Sequence, residues 1–153
     1  MPYSYEPHNF EDFEEGQTFQ STGRTVTETD FVVHSMFTGD WNEIHTNAEY
    51  AKDTAFGERI AHGPMTFILA TGFVYRSGIF ERTVHAFLGM SYMDIPAPVH
   101  QGETISMIME VTEKKSLSSR DDVGLVVLDT TMTNQDDEVV FEGDMKFMVK
   151  RRE

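Results

Sequence analysis

The chain has 153 residues, 39% of them hydrophobic and 25% charged, which suits one globular domain and not a disordered segment. Twenty-six acidic residues stand against twelve Lys and Arg, a formal net charge of −14, so the surrounding field repels phosphate and argues against general nucleic-acid binding. With no cysteine and no apolar run of spanning length there is no disulfide framework, no thiol chemistry and no membrane helix. A cytoplasmic home is expected.

The N-terminus, Met1-Pro2-Tyr3-Ser4-Tyr5-Glu6, has neither a basic region nor an apolar stretch, so no secretion signal is read. Residues 1–16 read as an acidic, aromatic arm (Tyr3, Tyr5, Phe10, Phe13) laid over a single domain covering residues 17–153. Thr18 to Val26 suits a first strand. Thr27 and Asp30 stand at capping-box spacing and start a helix that Gly39 ends in a left-handed stop. A second capping pair, Thr46 and Glu49, predicts a short helix over Asn47 to Asp53. Gly63 and Pro64 open a third helix, glycine as N-cap and proline at the first helical position. From Met65 to Tyr75 that helix is apolar or small on nearly every side, so it belongs inside the molecule, and Gly78 ends it.

Beyond Gly78 the period changes to two. Thr83 to Ile95, Thr104 to Thr112, Gly124 to Thr133 and Val139 to Lys150 read as strands, with polar hairpin loops at residues 116–122 and 134–137. Pro96 and Pro98 bend the chain between the first two. The fold class is α+β: an antiparallel sheet curved around one long central helix.

Chemistry concentrates in Gly39-Asp40-Trp41-Asn42-Glu43-Ile44-His45 and Ile60-Ala61-His62-Gly63. Asp40 and His45 set a carboxylate and an imidazole on the connection between two helix ends, where a rigid frame aims them. Phe37, Trp41 and Ile44 offer apolar surface that would exclude water, and Asn42 stands where it can bond the carboxylate. The Gly63 amide lies at the positive end of the central helix and favours developing negative charge on an oxygen. His62 is read as positioning or packing, and Thr71, two turns further on, as a possible hydroxyl donor to the site. No His pair has the spacing of a hydrolytic zinc site, and neither a phosphate-binding glycine loop nor a nucleophile elbow is present, so no metal and no cofactor are expected. The low lysine content, five residues, fits a surface adapted to high salt, where screening relieves self-repulsion.

These motifs, with Tyr50-Ala51, Thr54, Phe56-Gly57, Pro98-Val99 and Gly102-Glu103, resemble the MaoC-like dehydratase and (R)-specific enoyl-CoA hydratase family over residues 17–150. The resemblance implies a hot-dog fold, usually paired with a second copy, and reversible hydration of 2-enoyl-CoA to (R)-3-hydroxyacyl-CoA. It implies Asp40 and His45 as the catalytic pair, Gly63 as amide donor to the thioester carbonyl, and Thr71 at a position that often carries a hydroxyl; Asn42 and His62 are expected with Thr71 on the substrate side. The implied partners are an acyl-CoA substrate and a further copy of the chain, as homodimer or larger. Glu43 departs from the family's usual proline, and Asp94 from a basic residue. Arg59, Arg76 and Arg82 are candidates for nucleotide phosphates or plain surface charge. Alternatives are a branched, dicarboxylic or carrier-protein-bound substrate, or a non-catalytic thioester-binding module on the same fold.

Overall fold

A computed structural model describes residues 6–153. Tyr3 and Tyr5 of the expected arm lie outside the described residues. A 3-10 turn at Phe10–Asp12 precedes strands β1 (Thr18–Gln20) and β2 (Arg24–Thr25), then helices α1 (Glu28–Thr38), α2 (Glu43–Thr46), α3 (Ala48–Lys52) and α4 (Gly63–Arg76). Strands β3 (Val84–Gly89), β4 (Met93–Asp94), β5 (Thr104–Leu117), β6 (Arg120–Thr133) and β7 (Val139–Lys150) follow. The sheet runs β1-β5-β6-β7-β3 with every pairing antiparallel, β2 adding to β5 and β4 to β7. This is the α+β hot-dog arrangement.

Helix α4 is the core of the molecule because it has apolar residues to give to the sheet. Met65, Leu69, Ala70, Phe73 and Val74 are buried with Ile105, Met107, Met109 and Val111 of β5, Leu128 and Met132 of β6, and Phe141, Met145, Phe147 and Val149 of β7. The alternation along β5 and β7 decides which side chains face the helix. The N-terminal segment joins this core: the His8 N–H donates to the Ile79 carbonyl at 2.7 Å, and Phe13 is buried beside Phe80.

Local chemistry places α1 as expected. The Thr27 N–H donates to Asp30 Oδ2 at 2.8 Å, and Gly39 closes the helix at φ 78°, its N–H on the Ser35 carbonyl. Elsewhere tertiary contacts move the boundaries. The first strand is two pieces, since the five residues from Gln20 to Arg24 oppose the four from Ile108 to Ile105. The extra residue is a bulge in which Ser21 Oγ, not a carbonyl, accepts the Met107 N–H. The strand expected over Thr83 to Ile95 breaks into β3 and β4 because the N–H groups of Ser91 and Tyr92 turn to Asp144 Oδ1. The expected loop at residues 116–122 is mostly strand, polar on both faces where the β5–β6 hairpin extends past the core.

The helix starts also shift. Asn47, not Thr46, caps α3, with its side chain accepting from the Glu49 and Tyr50 N–H groups at 3.1 Å each. Thr46 instead ends α2, a turn not expected from sequence, and its hydroxyl donates to the Trp41 and Asn42 carbonyls. His62 occupies the N-cap of α4 and Gly63 its first helical position. The helix stops at Arg76, two residues before Gly78, which takes a positive φ of 78°.

Candidate active site

The left-handed stop at Gly39 turns the chain out of α1 and delivers Asp40 to the loop ahead of α2. Asp40 Oδ1 accepts the main-chain N–H of Asn42 at 3.1 Å. The Asn42 side chain is itself used, accepting the Ile44 N–H as N-cap of α2. Asn42 thus holds the carboxylate through its backbone, and its side-chain oxygen is spent on capping.

His45 lies in α2 and donates Nδ1–H to the Ile60 carbonyl at 2.8 Å. A carbonyl only accepts, so Nδ1 carries the hydrogen and Nε2 is the nitrogen left for chemistry. Residues 60–62 are extended, tied to Ile44 and Val99 by main-chain bonds. That segment carries His62 beneath the loop, where it is 0% exposed. Its Nε2 lies 3.0 Å from the Asp40 carbonyl and 3.1 Å from Ser35 Oγ. Its ring stacks on His45 with centroids 3.9 Å apart, and His34 packs against it at 4.4 Å with the ring planes inclined by 49°. A wholly buried ring does not meet substrate, so the substrate-side assignment of His62 is corrected to one beneath the site.

Gly63 follows at the N-terminus of α4, where its N–H is among the amides that intrahelical bonding leaves free. A Cβ there would sit 3.2 Å from Ile95 Cδ1, so the backbone is approached closely. Thr71 does not join the group. It lies about 12 Å along the helix axis from Gly63, and its hydroxyl donates to the Ile68 carbonyl at 2.7 Å.

Two residues of the site were not legible beforehand. His34 and Ser35 of α1 are both buried and both meet His62. The available signal was their spacing from Phe31: i, i+3 and i+4 form the inward stripe of α1, and two of its three members are polar. Burial holds both His62 and His34 below the ordinary imidazole range; proximity to His45 acts in the same direction, while Asp40 opposes it.

The expected dry surroundings are not supplied by one chain. Phe37 is 85% exposed and Trp41 53%. Beside the site a cleft of ≈ 310 Å³ runs between α1 and α4, lined by Val33, His34, Phe37, Met65, Ile68 and Leu69 with the Arg24–Asp30 ion pair at its edge. Ligand atoms of Asp40, His45 and His62 lie within 4.8 Å of one another, which are the residue types of a metal site. Two of the four ring nitrogens are committed to carbonyls, however, and a third, His62 Nδ1, is buried. This set is better suited to moving protons than to gripping an ion.

The family described as MaoC like domain matches residues 12–133. An (R)-specific enoyl-CoA hydratase of Rhodospirillum rubrum is 33% identical over 95% of this chain and 94% of its own length. A monoamine oxidase regulatory protein from Archaeoglobus superposes with a TM-score of 0.88 at 31% identity, covering 96% of this chain and 97% of that one. The R-hydratase PhaJ1 of Pseudomonas aeruginosa, unliganded, gives 0.79 at 27% identity over 94% and 86%.

Proposed function

The chain belongs to the MaoC-like family and is a hydro-lyase, and from that premise we propose that it hydrates 2-enoyl-CoA thioesters reversibly to (R)-3-hydroxyacyl-CoA. The observation that carries the reading is the Asp40 carboxylate and a His45 ring nitrogen held within 4.8 Å beside the N-terminus of α4. In the hydration direction one water binds between the pair. Asp40 takes a proton as the water oxygen attacks C3, and the C2=C3 electrons move onto the thioester oxygen. The Gly63 N–H stabilises that enolate, a contribution of about 3 kcal/mol for one donor of this kind. As the electrons return, His45 Nε2–H delivers a proton to C2. Passage of the first proton from Asp40 to His45 then restores the pair, which must start with one proton between them.

The substrate class is supported by relatives that include a 3-hydroxybutyryl-CoA dehydratase of Methylorubrum extorquens, 29% identical over 94% of this chain. The apolar cleft between α1 and α4 suits an acyl chain. An acidic carrier protein is disfavoured as donor by the net charge of −14. The proposed reaction is cytoplasmic; among the described residues no helix is long and apolar enough to cross a membrane.

A second copy completes the reading. Val33, Phe37, Trp41 and Ile68 are exposed around the site, and β3 is a sheet edge carrying exposed Phe87 and Leu88. A homodimer would cover these residues and remove the water that weakens every charge–dipole interaction there. The test is turnover of crotonyl-CoA with the product's configuration determined, alongside the mass in solution by light scattering. Formation of the (S) product, or no hydration by folded protein, rejects the proposal.

A further inference from the structure

We propose that Ser35 is a positioning residue of this site, acting through His62 to hold the Asp40 main chain and the His45 ring in one geometry. The inference rests on the hydratase reading for its consequence in rate, but its structural content stands on the contacts of two wholly buried side chains, Ser35 and His62.

The Asp40 carbonyl accepts only, and it lies 3.0 Å from His62 Nε2, so that nitrogen carries the hydrogen. Ser35 Oγ, 3.1 Å away, then receives the second branch of the same N–H. The His62 Nδ1 lone pair is buried without a partner. Moving the hydrogen to Nδ1 would be worse: the Asp40 carbonyl would lose its side-chain donor, and Nδ1–H would have no acceptor. The Asp40 carbonyl decides between the two, since it can only accept and keeps its side-chain donor only with the hydrogen on Nε2.

Orientation follows from the same contacts. Turning the His62 ring over would point carbon atoms at Ser35 and Asp40, so the two oxygens select one face. The same contacts at Nε2 hold the ring against rotation about Cβ–Cγ and so fix the plane against which His45 lies, 28° from parallel, while the Ile60 carbonyl holds His45 at Nδ1. His34 packs tilted against the same ring at 4.4 Å. His45 Nε2 and the Asp40 loop are therefore aimed by a single buried imidazole, and α1, which offers no group to the proton transfers, fixes that imidazole through Ser35. Reaction rates are steeply sensitive to such aim, since a displacement of about 1 Å can cost about a hundredfold.

The experiment pairs kinetics with nitrogen NMR of the imidazoles. In the wild-type chain His62 should show one tautomer, hydrogen on Nε2. Ser35→Ala should lower kcat on crotonyl-CoA about tenfold with KM within about twofold, and average the His62 signals between ring orientations. Ser35→Thr, which keeps the hydroxyl, should recover most of the rate. His62→Phe, which keeps a flat ring but no donor, should lose more than Ser35→Ala. A folded Ser35→Ala with wild-type kcat overturns the proposal, as does a wild-type His62 carrying its hydrogen on Nδ1. Absence of turnover in the wild type would sink the hydratase reading instead, leaving the tautomer measurement to decide the role of Ser35. That measurement also decides it if a Ser35 variant fails to fold.

Discussion

The two ends of α4 are built from opposite materials. Its N-terminus sits among imidazoles, a free amide and an unpartnered buried nitrogen. Its C-terminus sits in an aromatic cluster, with Phe80 4.5 Å from Phe147 and 5.5 Å from Phe13, and Tyr75 edge-on to Phe147 at 6.3 Å. Apolar contacts of the second kind stabilise without a specific ligand, whereas polar groups of the first kind cost stability unless something uses them. One helix thus joins an anchor to a reactive end, and rate and stability should respond separately to changes at the two.

The sharpest break is at the reactive end. Asp40→Asn and His45→Gln should each lower turnover at least about a hundredfold, the low end for acid–base catalysis, while thermal unfolding stays near wild type. The mirror experiment is Phe80→Ala, expected to cost about 3–5 kcal/mol in denaturant unfolding while leaving kcat per folded molecule unchanged. Loss of turnover in that variant at full folding would erase the division between the ends. A smaller effect that touches both properties is expected from Gly39→Ala. Its φ of 78° makes a Cβ costly by about 1–2 kcal/mol, and because Asp40 follows directly, kcat should fall with stability.

Acidification discriminates in another way. Burial depresses the titration of His62 and His34 in the folded chain, whereas an unfolded chain binds protons on imidazole near about pH 6.5. Below that pH the unfolded state holds more protons, so stability is unimpaired above it and declines as pH falls toward the folded-state values. A melting series from pH 7.5 to 5 should show the decline in wild type, and His62→Phe should show a shallower one. The mildest expectation concerns the surface. With a net charge of −14, the melting temperature should rise between dilute buffer and molar potassium chloride.

Much of the fold was legible because its signals are local. Thr27, Asp30 and Gly39 bound α1 by chemistry within a few residues of one another, and the alternation of Ile105, Met107, Met109 and Val111 marks β5 whatever lies opposite. Asp40 and His45 were legible for the same reason, their residue types and spacing standing within one short segment. The bulge at Ser21 and the break after Gly89 were not, since each depends on a partner far along the chain, Met107 in one case and Asp144 in the other.

For the site the division is similar. The sequence by itself determined that a carboxylate and an imidazole share one short segment, and it determined the central helix and the antiparallel frame, all written in neighbouring residues and in a period of two or 3.6. Only the structure shows the Asn42 side-chain oxygen and the Thr71 hydroxyl bonded within their own helices, and Ser35, His34 and His62 lying beneath Asp40 and His45. A hydrogen bond depends on direction, and the direction of a side chain is set by whatever packs against it, which no stretch of linear sequence contains.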